Sequence, residues 1–384
     1  MGPLAGYRVI EMAGIGPAPF AAMLLADMGA EVIRVDRRQA ADLGLPARDV
    51  KFDVLHRGRR SIAVDVKVDA GREAVKRLAA KADSIIEGFR PGVMERLGLG
   101  PDVLLALNPK LVFGRMTGFG QDGPLASAAG HDINYIALAG VLHAIGRKGE
   151  APVPPLNLVG DFGGGGMFLA FGVVCALLEA ARSGKGQVVD AAMVDGSATL
   201  MALMLGLYAE GTWKDERGVN VLDTGAPWYE TYRTKDDRWL AVGAIEKRFY
   251  EAFVERLGLS LAELPKQHDR SRWPELRRRF AEAIASKTRD EWERIFAGSD
   301  ACAAPVLSLA EVASHPHNAA RGTFAIRDGV LQPAPAPRFS RTVPEVGAPP
   351  RPVGADTDAV LADFGFSAAE IARLKGAGVV GVGV

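Results

Sequence analysis

Cysteine is nearly missing from this sequence. Cys175 and Cys302 are the only two, they stand far apart, and neither belongs to a Cys-x-x-Cys pair. A disulfide framework and a thiolate zinc site are therefore not indicated, and a reducing compartment fits. Excess charge of either sign is absent too. Lys and Arg total 46 against 46 for Asp and Glu, so no nucleic-acid surface built on bulk positive charge is expected, and any basic patch must be local. Long apolar runs are also lacking. The least charged stretch, 162–178, opens on a run of glycines and stops at Glu179; it reads as a buried helix, since a membrane span wants about 20 predominantly apolar residues. The opening MGPLAGYRVIEMAG has no basic region followed by an apolar run, and the closing GVGV is not an SKL-type address. Neither a secretory leader nor membrane contact is expected, and a cytoplasmic location is. The six histidines are scattered, and His315-Pro-His317 lacks the helical i, i+4 spacing of a zinc-binding pair, so no metal site is expected.

What is present describes an ordinary globular α/β chain. The 384 residues are 48% apolar and 24% charged, with 45 Gly and 23 Pro, and the length suggests two domains or one large domain carrying an insertion. Tyr7 to Met12 is a short apolar strand, Gly14 to Pro19 a turn, Phe20 to Met28 a helical pattern and Glu31 to Val35 a second strand, which together make a βαβ unit. Strands at 61–66, 84–87 and 111–115 alternate with helices, so a mostly parallel sheet is expected. Hairpin strands at 228–234 and 238–244 then change the texture, and amphipathic helices follow at about 246–257, 274–286 and 289–297. Seven prolines in the twenty residues 333–352 predict an extended linker, and Ser367 to Glu370 is a capping box for a last helix. The expected division is 1–222, 223–330 and 331–384, the middle segment being a small α+β domain and the last a return to the first.

Several residues suggest chemistry, each with a plainer alternative. GIGPAP (14–19) approximates a dinucleotide-binding turn but has Pro19 where the third glycine is needed. His131 and Asp132 stand at a predicted helix N-terminus, either as caps or as an acid–base group beside free backbone N–H groups. Asp161 opens DFGGGG, as an N-cap or as a second acid–base group; the glycines permit close backbone approach or flexibility. Arg34, Arg37, Arg38, Arg57, Arg59, Arg60, Arg90 and Arg96 cluster near strand ends, as a solvated face or as phosphate ligands. Met201, Met204, Leu205 and Leu207 are core or an acyl surface.

Taken together, segments 6–37, 87–100, 114–146, 154–168, 184–196, 241–246 and 335–342, among them GHDINY, GDFGGGG and AVGAIE, resemble the family III CoA-transferases (CaiB/BaiF-like) from residue 3 to about 380. The resemblance implies an α/β fold with a Rossmann-like parallel-sheet large domain and a small α+β domain, assembled as an interlocked homodimer. It further implies that the active site lies where one subunit's large domain meets the other's small domain. The match is to the family's racemase branch, which implies interconversion of (2R)- and (2S)-2-methylacyl-CoA thioesters by 1,1-proton transfer. It makes His131 and Asp161 the two bases, Glu246 the partner that hydrogen-bonds the histidine, and the Asp132 N–H a donor to the thioester oxygen. Arg37 and Arg96 are expected to face the CoA nucleotide, together with Ala63 and Arg90, while Ile15 and Tyr135 are expected to line the substrate site. No cofactor is implied beyond the CoA of the substrate.

The chemistry suits these residue types. A proton next to a thioester carbonyl is weakly acidic, so removing it needs a base and a stabilised enolate oxygen, and inverting the carbon needs a second acid on the opposite face. A transferase, in which Asp132 attacks the acyl group to form an acyl-aspartyl anhydride, is the competing expectation. A binding protein without catalysis is the third.

Overall fold

Short apolar strands joined by helices are most simply arranged as parallel strands side by side, with the crossover helices covering both faces. This chain adopts that arrangement. The structure, a computed structural model, describes residues 2–38 and 48–383. In chain order it runs β1 (Arg8–Met12), α1 (Pro17–Asp27), β2 (Glu31–Asp36), β3 (Arg59–Val64), α2 (Asp69–Ala79), β4 (Ser84–Glu87), α3 (Val93–Arg96), α4 (Pro101–Leu107), β5 (Val112–Thr117) and α5 (Asp132–Leu138). After α6 (Val141–Ala144) come a π-helix over Leu158–Gly166, α7 (Met167–Ser183), β6 (Val188–Ala192) and α8 (Met193–Leu200).

The sheet order is β3-β2-β1-β4-β5-β6, all parallel, with a short C-terminal strand antiparallel to β3 at the edge. Sheet growth reverses between β1 and β4, which makes the ends of those strands a topological switch point where loops part and a crevice opens. Successive side chains on a strand face opposite sides, so each strand feeds two cores. Ile10, Ile33, Ile62 and Ile85 pack against Val75 and Leu78 of α2 and Leu104 of α4. Val9, Val32, Ile86 and Val112 pack against Ala18 and Leu25 of α1 and Leu169, Val173 and Leu177 of α7. Each fully buried aliphatic side chain contributes about 1.5–3 kcal/mol.

Two compact units divide the chain: Met1–Ala139 with Leu156–Leu200 and Ala319–Val384, and Gly140–Pro155 with Met201–Asn318. The second unit holds α6, α9 (Ala202–Glu210), an antiparallel sheet of β7 (Tyr229–Arg233), β8 (Trp239–Gly243) and β9 (Ala303–Pro305), and helices α10 (Lys247–Arg256), α11 (Trp273–Ile284) and α12 (Arg289–Phe296). Its core is aromatic, with Trp228, Phe253, Phe280 and Trp292 buried.

These boundaries differ from the expected 223 and 331. Because α9 continues the apolar helical pattern before it, no change of composition marks the crossing at 201. The expected linker, 333–352, carries no helix or strand beyond Pro333, and just ahead of it stands a hairpin that the expected division did not include, β10 (Phe324–Arg327) and β11 (Val330–Pro333). Its turn is Asp328-Gly329, both at positive φ, the strongest short-range hairpin signal a sequence carries. The chain then returns through helices Thr357–Asp363 and Ala368–Gly376, capped by the Ser367–Glu370 box, to β12 (Val380–Gly381) beside β3.

Candidate active site

The loop leaving β1 reaches the switch point first. Gly16 takes φ 70°, a left-handed conformation that costs a side chain dearly, and Pro17 then starts α1 with a preset φ. A Cβ on Gly16 would lie 3.4 Å from Asp161 Oδ2, so this turn runs directly past that carboxylate. Ile15, expected to line the acyl pocket, is 62% exposed on the same turn.

Of the two alternatives for Asp161, the helix N-cap does not hold. The residue lies inside the π-helix, which continues into α7 without a break. The wide π turn recurs at functional sites, and here the glycines allow it to pack. A Cβ on Gly196 would sit 1.8 Å from the Gly164 carbonyl oxygen, one on Gly164 2.6 Å from the Ser197 nitrogen, and one on Gly166 2.7 Å from the Pro17 carbonyl oxygen. Close approach to α1 and α8, rather than flexibility, is what the glycine run provides.

The loop leaving β5 carries the second group. His131 is the N-cap of α5 and is exposed; its N–H donates to Asn134 Oδ1 at 3.0 Å. Asp132, the next residue, is buried. Its Oδ1 accepts the Asp161 N–H at 2.7 Å, its Oδ2 has no hydrogen-bond partner among the described residues, and a Cβ on Gly160 would come within 2.4 Å of Oδ1. One carboxylate thus ties α5 to the π-helix. The Asp132 N–H, at the first position of α5, has no acceptor within the helix.

Asp161 departs from an ordinary carboxyl. Burial raises the Asp161 carboxyl above the ordinary range; a hydrogen bond from Asn157 Nδ2 lowers it, the Asp132 charge raises it, and the His131 charge lowers it. The Asn157 bond measures 3.1 Å. Burial stabilises the protonated acid, as a group that must donate near neutral pH requires. Tyr135, expected at the substrate, is a packing residue. It is buried, its hydroxyl donates to the Gly130 carbonyl, and its ring meets Phe119 edge-on at 4.9 Å.

On the other face of the sheet, at the C-terminal ends of β1, β2 and β3, opens a cavity of about 630 Å³ whose walls include Met12, Val35, Arg37, Val66, Lys67 and Phe89. Arg37 lies 5.9 Å over the Phe89 ring, and Arg90 and Arg96 are exposed on the adjoining β4–α3 segment. Most of the arginine cluster has other duties. Arg34 pairs with Asp36, Arg57 with Asp27, Arg59 with Glu11 and Arg60 with Glu31, while Arg38 donates to the Gly378 carbonyl. Arg59 and Arg60 stand at the entry of β3, away from the crevice. Ala63 does not line the cavity either: it is wholly buried, flanked by β2 and β12. Val64 to Lys67, just beyond it, form the wall. Their position after a strand end was the available signal.

Four of the five remaining histidines have partners of their own. His56 meets Asp53, His143 meets Asp215 and His315 meets Glu293, and the His268 ring packs on Trp228 at 5.6 Å. Glu246 is carried by the second unit, exposed at the N-cap of α10.

A doubly wound α/β unit with His131, Asp132 and Asp161 at its switch point and a basic crevice alongside defines the class of α/β proteins that take anionic ligands at the carboxyl ends of their strands. The family model for CoA-transferase family III matches residues 4–357, and the chain belongs to that family. It is 49% identical to the α-methylacyl-CoA racemase of Mus musculus over 375 residues, spanning 97% of this chain and 96% of that protein. To the Homo sapiens α-methylacyl-CoA racemase it is 46% identical, with the same coverage. A CaiB/BaiF family protein of Brucella suis, known by crystal structure, superposes with a TM-score of 0.79 at 26% identity, covering 94% of this chain and 99% of that one.

Proposed function

We propose that this protein is an α-methylacyl-CoA racemase, interconverting (2R)- and (2S)-2-methylacyl-CoA thioesters by 1,1-proton transfer through an enolate. The observation that carries the reading is the inward turn of Asp132. Its carboxylate is buried and holds the Asp161 N–H, so it is spent on structure and not offered as the nucleophile a transferase needs. His131, exposed at the N-cap, and Asp161, with its raised carboxyl, form the acid–base pair that inversion needs.

In one direction neutral His131 takes the α-proton while protonated Asp161 delivers one to the opposite face; in the other direction the roles exchange. The Asp132 N–H donates to the thioester oxygen as negative charge develops there. Arg37, Arg90, Arg96 and Lys67 hold the nucleotide and phosphates, and this remote binding energy fixes the reacting carbon. The chemistry needs no group beyond the substrate's own CoA.

The functional unit is an interlocked homodimer in which Glu246 of one subunit orients His131 of the other. Uncovered apolar surface supports this. Phe171 and Leu178 of α7 are 69% and 66% exposed, and no residue of the apolar helix α9 is buried.

The test is proton NMR of each 2-methylacyl-CoA epimer with the enzyme in D2O. Loss of the α-proton signal, with both epimers converging on one mixture and no added carboxylic acid, is the expected result. Transfer of CoA to an added acid without exchange assigns the chain to the transferases instead.

A further inference from the structure

The segment that carries Phe89, Arg90 and Arg96 is held by a three-residue brace outside the catalytic pair, two of whose members, Glu87 and Arg115, are buried. Glu87, the last residue of β4, is wholly buried and is pushed up to about 6 by burial. Its Oε2 accepts the Phe89 N–H at 2.7 Å and its Oε1 the Arg115 Nε at 3.0 Å. Arg115, beside it on β5 and only 6% exposed, turns its two terminal nitrogens to the two Glu95 oxygens at 2.7 and 3.2 Å. Both ends of the turn between β4 and α3 are thereby fastened to one guanidinium. A planar fork meeting a carboxylate through two parallel bonds fixes orientation as well as distance.

Between the fastened ends lies Phe89, in the cavity wall under Arg37, while Arg96 follows Glu95 directly. We propose that Arg115 is a positioning residue for nucleotide binding: through Glu87 and Glu95 it holds the β4–α3 turn so that Phe89 and Arg96 face the nucleotide end of a CoA thioester. The inference rests on the acyl-CoA reading above and adds to it a residue that does not touch the ligand.

The sign of one substitution separates this role from simple charge. Glu95→Gln removes a negative charge beside a polyanion site, so long-range electrostatics alone predicts tighter CoA binding. Loss of the fork predicts weaker binding. Glu95 is nearly half exposed, so the variant keeps a soluble fold. Titration calorimetry with CoA is expected to give a Kd raised roughly tenfold for Glu95→Gln, and likewise for Arg115→Lys, which keeps the charge and loses the fork. Kinetics supplies a second readout: KM rises for the CoA thioester and not for the matching pantetheine thioester, which lacks the nucleotide. Wild-type protein that binds CoA while Glu95→Gln binds it equally well or better overturns the brace alone. Wild-type protein that binds no CoA overturns the acyl-CoA reading and this proposal with it.

Discussion

Replacing Asp132 by Asn preserves the side chain's shape and one acceptor oxygen while removing the charge and any nucleophilic carboxylate. The structure sets the size of the effect. Oδ1 accepts the Asp161 N–H at 2.7 Å; a hydrogen bond to a charged group contributes about 1.5–3 kcal/mol and a neutral one about 0.5–1.5. The difference is roughly 1 kcal/mol, or about a fivefold loss of rate if all of it falls on the placement of Asp161. The backbone N–H of residue 132 is untouched. A second effect has a definite sign: the Asp132 charge raises the Asp161 carboxyl, so removing it lowers that carboxyl. The limb of the pH–rate profile on which Asp161 loses its proton then moves to lower pH. The assay is α-proton exchange of both epimers in D2O, followed from pH 5 to 9. Racemisation within about tenfold of wild type, with the shifted limb, is the expected outcome. Removing a covalent nucleophile costs on the order of 10⁴-fold or more, and a loss of that size in Asp132→Asn would refute the reasoning.

The other expectations concern stability and assembly. The native Asp161 carboxyl lies above its unfolded value, chiefly through burial; the native state then holds that proton more tightly, and stability falls as pH rises from the ordinary carboxylate range through the native value. Asp161→Asn should therefore be inactive yet melt higher than wild type at pH 8, with the gain shrinking as pH is lowered towards 4; a gain independent of pH in scanning calorimetry would contradict this. For the homodimer, sedimentation equilibrium should give twice the chain mass. Phe171→Glu, which places a charge on the exposed α7 stripe, should raise the dimer dissociation constant by about 100-fold or more. A wild-type monomer at micromolar concentration would remove the interlocked assembly.

Much of the fold was legible because its signals are local. Short apolar runs mark strands β1 to β5, the loop after β1 contains the expected Gly-x-Gly-Pro, and the Ser367–Glu370 box opens its helix. His131 and Asp161 were legible as candidates because a polar residue beside glycines and an apolar helix is conspicuous in one dimension. The Asp328-Gly329 turn is an equally local signal, standing just ahead of the proline-rich stretch.

Other features depend on residues far apart in the chain. Periodicity does not show that Arg57 is matched by Asp27 or Arg59 by Glu11, and the arginine cluster divides into structural and free members only through those pairings. Ala63, expected at the CoA nucleotide, is sealed by β2 and by β12 from the far end of the chain. The carboxylates of Asp132 and Asp161 differ in burial because Gly160 lets the backbone close over one of them. By itself, then, the sequence determined the alternation of strands and helices and the residue types available for acid–base chemistry, since both are set by neighbours along the chain. Only the tertiary structure decided which charges are neutralised and which carboxylate is turned inward, because burial and ion pairing are properties of distance in space.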